Sequence, residues 1–261
     1  MRLRSLLFVP GDRPDRFQKA IASDADGVVL DLEDAVAPSD KESARSLVAD
    51  FCRTPRNRVY VRINAIDTPY FDQDLTSLRG APIAGVLLPK AESTEAVERA
   101  GETGLPVLPL IETAVGFVRC ESIGRVRGVQ RLVFGHVDFQ QDLRISETGN
   151  ELLFFRSAIV LYSRVCGLAA PLDGVTTAVD DSVRITADAE AARRLGFGGK
   201  LCIHPRQVSF VHQAFTPKAS ERAWAERVLQ AVGEGGVGTI DGELVDRPMV
   251  LRARSILAQE K

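Results

Sequence analysis

Short apolar runs alternate with amphipathic stretches along the whole chain. The runs fall at residues 4–9, 27–32, 58–63, 85–88, 107–111, 131–135, 169–173 and 201–203. Between them, apolar positions recur at helical spacing at 13–22, 39–52, 93–100, 114–122, 150–166 and 184–195. A parallel strand covered by helices on both faces reads as a continuous apolar run, not as an alternation. Eight such runs separated by helical stretches predict an α/β chain folded as a TIM-type (β/α)8 barrel. An open doubly wound sheet is the competing architecture. It normally carries a glycine-rich phosphate fingerprint after its first strand, and Pro10-Gly11-Asp12-Arg13 is not one.

The pattern continues past the eighth run. A helical stretch at 218–232 is followed by glycine-rich Gly233–Gly238, an Asp241-Gly242 turn and a short helix at 248–258, with Pro248 well placed in its first turn. The expected organisation is a barrel domain at 1–216 and a C-terminal helical lid extension at 217–261. A closed barrel does not require this tail. It is either a surface appendage or a lid hinged at the glycines.

Composition narrows the class without naming a chemistry. A length of 261 residues suits one barrel, which takes about 250. With 45% hydrophobic and 26% charged residues, a sizeable core is expected. Lysine plus arginine (33) nearly balances aspartate plus glutamate (35), so bulk charge argues for neither nucleic acid nor a membrane surface as partner. Cys52, Cys120, Cys166 and Cys202 are scattered through apolar stretches, as reduced core thiols would be. No run reaches the roughly 18 apolar residues of a membrane span, and the N-terminus lacks a signal core, which makes the cytoplasm the default expectation.

Polar residues gather at the ends of the runs. They include Asp31-Leu32-Glu33-Asp34, Arg62-Ile63-Asn64, Pro89-Lys90, Glu112-Thr113, His136-Val137-Asp138 and His204-Pro205. In a barrel all these C-terminal strand ends converge on one mouth. Glu112 and Asp138, from successive strands, offer oxygen ligands with no cysteine or histidine at metal spacing. Such a pair suits Mg²⁺ at about 2.0–2.1 Å, with water and substrate completing the octahedron, and Mn²⁺ also fits. The plainer alternative is that each acid caps the following helix, worth roughly 0.3–1 kcal/mol. Arg62, between Val61 and Ile63, needs a partner if buried. Glu33 or Asp34 would serve, and its fork also suits the carboxylate of a small acid. Arg16 and Lys19 share a helix face, either solvated or holding a diphosphate. His136, two residues before Asp138, is expected to point away from that carboxylate along the strand. His204 reads as a loop hydrogen-bonder and His212 as surface. No Ser or Cys elbow accompanies the histidines.

These motifs in this order resemble the HpcH/HpaI aldolase/citrate lyase family, in its citrate lyase beta subunit-like branch. The likeness is carried by RSLLFVPG at 4–11, DLEDAV at 31–36, Lys41 with Ala44-Arg45, VRIN at 61–64, LPK at 88–90, ETAVG at 112–116, GFGGKLCIHPRQ at 196–207 and DGELVDRP at 241–248. The resemblance implies a lyase that makes or breaks a carbon–carbon bond beside a CoA or carrier-protein thioester. It implies Mg²⁺ on Glu112 and Asp138, and an α-keto acid carboxylate on Arg62. Glu33 and Asp34 would orient Arg62 and metal-bound water, and Arg16 and Lys19 would lie near the CoA phosphates. Asp246 would act as lid acid/base toward a neighbouring subunit, most simply in a homotrimer. The expected substrate is citramalyl-CoA or malyl-CoA. A citryl-carrier lyase subunit, a malate or citramalate synthase-type condensation, an aldolase on a free aldehyde and a non-enzymatic keto-acid or CoA-binding subunit are the alternatives. Three positions depart from the family pattern: His136, Arg144 after the DFxxDL pattern, and Val175-Thr176-Thr177.

Overall fold

Eight parallel strands pair in sequence order and close on themselves: β1 (Ser5–Pro10), β2 (Gly27–Asp31), β3 (Arg56–Arg62), β4 (Ile83–Leu88), β5 (Val107–Ile111), β6 (Val133–Phe134), β7 (Leu172–Asp173) and β8 (Gly199–Cys202). The last pairs with the first, Ser5 opposite Lys200 and Leu7 opposite Cys202. This computed structural model describes residues 2–146, 149–232, 238–240 and 243–258. The chain divides into two compact units, Met1–Gln213 and Ala214–Lys261.

Every residue of β2 and β5 is buried, as their uninterrupted apolar runs require. Leu6, Val29, Tyr60, Leu87, Leu108 and Leu201 point into the barrel and fill it, so the interior is a packed core and not a channel. Around it run α1 (Pro14–Ile21), α2 (Lys41–Phe51), α3 (Phe71–Leu78), α4 (Thr94–Gly101), α5 (Ala114–Val118), α6 (Cys120–Gly124), α7 (His136–Leu143), α8 (Leu153–Val165), α9 (Ser182–Leu195) and α10 (Pro205–Ala214). Ser93, Thr113 and Asp181 cap α4, α5 and α9 by accepting from Ala96, Gly116 and Arg184 amides at 3.1, 3.1 and 2.9 Å. Each such cap contributes about 1 kcal/mol.

Three differences from the sequence pattern have physical causes. Helix α3 escaped notice because Asp74 lies on its buried face. That carboxylate is fully buried and accepts from Arg45 Nε at 2.6 Å and Asn64 Nδ2 at 2.6 Å. The expected helix at 114–122 breaks at Arg119, whose guanidinium reaches back to the Glu92 carbonyl (2.8 Å). Most consequential, β6 ends at Phe134 and α7 begins at His136. His136 and Asp138 therefore lie in a first helical turn and not along a strand. Helix α7 stops at Arg144, a non-glycine residue at φ 58°. A side chain there costs about 1–2 kcal/mol.

Among the described residues, no helix is long and apolar enough to cross a membrane. All four cysteines are free, and burial pushes the thiols of Cys52, Cys120 and Cys202 up to about 12, so they are inert core groups.

The second unit contains α11 (Ala219–Val232), strands β9 (Gly238–Ile240) and β10 (Glu243–Val245) paired antiparallel, and α12 (Arg247–Ala258). Ala225, Val228, Val245, Ala253 and Ile256 form its core. Arg252 stacks on Trp224, 5.0 Å from the ring centre. Residues 233–237 of the expected glycine hinge, and the expected Asp241-Gly242 turn, lie outside the described residues.

Candidate active site at the barrel mouth

Glu112 leaves the end of β5 directly into the mouth and is 1% exposed. One carboxylate oxygen accepts the Lys90 amide at 2.7 Å; the other, Oε2, is buried with no hydrogen-bond partner. Burial, followed by the charge of Glu33, pushes its pKa well above the ordinary glutamate range, and Asp138 adds to the effect. Lys90 presents its amide from a left-handed conformation (φ 44°) that favours glycine. Gly135 leaves space for the same carboxylate, because a Cβ there would stand 2.6 Å from Oε2 and 2.7 Å from the Glu112 Cβ. A fold that tolerates a left-handed lysine and needs a glycine to position one unsatisfied oxygen is arranged around that oxygen.

Asp138 sits in the first turn of α7, half-buried. From the same helix, Asp142 accepts the Ala114 amide at 2.7 Å, tying α7 to the exit of β5. Arg62, at the end of β3, is 9% exposed. Its Nε and Nη2 donate to the two oxygens of Asp31 at 2.7 and 2.6 Å. Nη1 lies 2.8 Å from Glu33 Oε2, out of hydrogen-bond alignment, and 3.5 Å from Asp34. Burial opposes the charge on Arg62, but Asp31, then Glu33 and Asp34, more than offset it and hold its pKa above the usual value. The expected orienting acids are thus present, and the principal one, Asp31, was missed. Asp31 takes the Nε/Nη2 edge of the guanidinium fork and Nη1 donates to Asp34, so an incoming carboxylate would take the remaining Nη2 N–H and compete with Asp34 for Nη1.

Lys90 Nζ donates to Glu33 at 2.7 Å, and Lys41 Nζ donates to the carbonyls of Leu32 and Glu33, each at 2.6 Å. Glu33 nonetheless has a raised pKa, since burial outweighs Arg62 and Lys90. Asp31, Glu33, Asp34, Glu112 and Asp138 together outnumber the cations Arg62, Lys90 and Lys41. The surplus negative charge, the all-oxygen donor set and the orphaned Glu112 oxygen fit a hard divalent cation. Among the described residues no group of three or more His, Cys, Asp or Glu converges as a metal cage. A site built on two carboxylates leaves its other positions to water and substrate.

Glu112, Asp138, Arg62 and Asp34 line one cavity of about 310 Å³, together with Phe8, His136 and Val175. His136 also lines this cavity, but it stands about 200° around α7 from Asp138, and the charges acting on its ring are those of Lys200, Asp173 and Arg156. Arg16 and Lys19 are exposed on α1. Asp246, in the second unit, accepts the Met249 amide at 2.9 Å and so caps α12. His212 is not a surface residue: its Nε2 lies 2.8 Å from Ser5 Oγ and 3.5 Å from Asp26, with the side chain 16% exposed. The same nitrogen faces both partners, so no Ser-His-Asp relay exists there. His204 Nδ1 accepts the Arg206 amide at 3.2 Å.

Residues 4–205 match the family HpcH/HpaI aldolase/citrate lyase. The chain belongs to that family. It is similar to a "Citrate lyase subunit beta-like protein" of Deinococcus radiodurans, 39% identical over 99% of this chain and 97% of the relative. It is 31% identical to a "(3S)-malyl-CoA thioesterase" of Cereibacter sphaeroides, over 98% of this chain and 94% of that protein. Among solved structures it resembles protein CitE from Mycobacterium tuberculosis in complex with magnesium, acetoacetate and coenzyme A. The TM-score is 0.87 at 35% identity, covering 99% of this chain and 98% of that one. Membership places the chain among carbon–carbon lyases and aldolases of the citrate lyase beta type.

Proposed function

We propose that this protein is a Mg²⁺-dependent lyase that cleaves a 3-hydroxyacyl-CoA bearing a free carboxylate, such as citramalyl-CoA or malyl-CoA, to acetyl-CoA and an α-keto acid. The observation that carries the reading is the unpartnered Glu112 oxygen in a cavity shared with Asp138 and Arg62. The magnesium, acetoacetate and coenzyme A bound to the M. tuberculosis relative support it.

Glu112 and Asp138 would hold the cation, and Mn²⁺ is an acceptable substitute. When bound, it would polarise the keto oxygen as a Lewis acid. The Nη1/Nη2 end of the Arg62 fork takes the substrate carboxylate, while Asp31, Glu33 and Asp34 keep the guanidinium oriented. Cleavage begins when a base removes the proton of the 3-hydroxyl. The O–H electrons become the new C=O, the carbon–carbon bond breaks, and its electron pair passes to the acetyl thioester as an enolate that is then protonated. We assign this proton traffic to Asp246 of a neighbouring copy, in a cyclic trimer. Arg16 and Lys19 are assigned to the CoA phosphates.

Steady-state assays with purified protein and each thioester test the proposal. Mg²⁺-dependent release of keto acid and acetyl-CoA is expected, and its absence with every such thioester would sink the lyase reading. The similarity to a malyl-CoA thioesterase favours a second reading, hydrolysis of the thioester itself. The products separate the two, since hydrolysis yields free CoA and the intact hydroxy acid. A citryl-carrier subunit would be inactive on free CoA esters and would need a carrier protein.

A further inference from the structure

Beside the proposed site lies a second cavity, of about 250 Å³. It shares His136, Val137, Val175 and Thr177 with the first, so one layer of side chains separates the two. His136 is the bulkiest of the four. Its imidazole occupies space that a side chain at 174 would need: a Cβ on Gly174 would lie 2.0 Å from His136 Nδ1. Packing holds the ring, with Phe134 at 6.2 Å between centres, and neither ring nitrogen is hydrogen-bonded to a described residue. Removing it therefore orphans no partner.

The far cavity is polar at its back. Asp173 is held there by Arg156 and lies 3.5 Å from Lys200, which also donates to the Gly174 carbonyl at 2.6 Å. These charges satisfy one another. Arg184, exposed on α9, and Asp188 also line this cavity, and no ion pair of the Arg184 side chain is formed among the described residues. The lining sets Arg156, Lys200 and Arg184 against Asp173 and Asp188, and a recess with that balance of charge suits a carboxylate.

We propose that His136 is the specificity-determining wall of the site: it restricts the 2-oxo acid held at Glu112, Asp138 and Arg62 to a short side chain, and it closes off a recess able to take a longer, carboxylate-ended one. The inference rests on the lyase reading above.

Calorimetric titration of the full-length protein in Mg²⁺ with pyruvate, 2-oxoglutarate and 2-oxohexanoate tests it. Wild type should prefer pyruvate over both longer acids by about tenfold or more. His136→Ala should shift the ratio toward both longer acids by about tenfold. Adding Arg184→Gln should cancel the gain for 2-oxoglutarate while leaving that for 2-oxohexanoate. His136→Asn, which also shortens the side chain, should shift the ratio in the same direction and carries the test if the alanine variant does not fold. Pyruvate binding with an unchanged ratio in a folded variant overturns the wall while sparing the lyase reading. Wild type binding all three acids equally also overturns it. If wild type binds no 2-oxo acid, both readings fall.

Discussion

Two carboxylates are buried at the same barrel mouth and are treated in opposite ways. Glu112, past β5, keeps one oxygen unpartnered, and burial with Glu33 and Asp138 nearby raises its pKa. Asp173, at the end of β7, is as deeply buried, yet Lys200 and Arg156 outweigh the burial and lower its pKa. Asp173 has its cations built in. Glu112 has a deficit that an external cation would fill. Burial alone therefore does not mark a functional acid; unmet negative charge in a cavity does.

The largest expected effect separates the two by activity. Glu112→Gln should lower Mg²⁺-dependent turnover on the order of a thousandfold, measured by keto-acid release. The same change should raise the melting temperature of the metal-free protein, because it removes a buried charge that the Lys90 amide and Arg62 only partly offset. Asp173→Asn should do the reverse in kind. It leaves Arg156 and Lys200 buried without their counter-charge and should destabilise the fold by about 3–5 kcal/mol in denaturant unfolding. If the folded fraction of that variant also lost Mg²⁺ affinity, the contrast would break.

Gly135→Ala sharpens the comparison sterically. Its methyl group would press on the Glu112 carboxylate, so Mg²⁺ affinity by titration should fall about tenfold to a hundredfold. An unchanged affinity would show that Oε2 is not where the cation binds.

The smallest effect is in pH. The raised Glu112 pKa means its contribution to metal-free stability is greatest when it is protonated, below the ordinary glutamate range. That contribution is lost as pH rises through the folded pKa. Asp173, with a lowered pKa, contributes above the ordinary aspartate range and loses its contribution as pH falls through the lower folded value. Melting curves without metal should accordingly decline as pH rises from the ordinary glutamate range to the raised Glu112 pKa and level off above it, and Mg²⁺ should restore them. Metal affinity should rise by about tenfold per pH unit below that pKa, because the proton must leave first. Glu112→Gln should abolish both trends.

Much of the site was visible in the residues themselves. Glu33, Asp34, Glu112 and Asp138 each stand just past an apolar run and Arg62 near the end of one, and parallel strands in a barrel deliver such ends to one place. What stayed hidden depended on contacts between distant segments. Asp31 reads as the last residue of a strand, and only the pairing of β2 with β3 sets it opposite Arg62. Gly135 and the left-handed Lys90 matter because Glu112 arrives between them. The early start of α7 was masked because apolar Val133-Phe134 runs on without a cap signal: Gly135 offers no side chain to announce the turn.

By itself, the order of apolar runs and helical stretches determined a parallel sheet covered by helices, since such strands bury both faces, and the count of eight units without a glycine-rich phosphate fingerprint favoured the barrel over an open sheet. It also determined which residue types reach the mouth. Only the closed tertiary structure decided which of those acids would be neutralised and which left wanting. Charge balance in a buried cluster is set by distances across strands that lie far apart in the chain, and no local pattern encodes them.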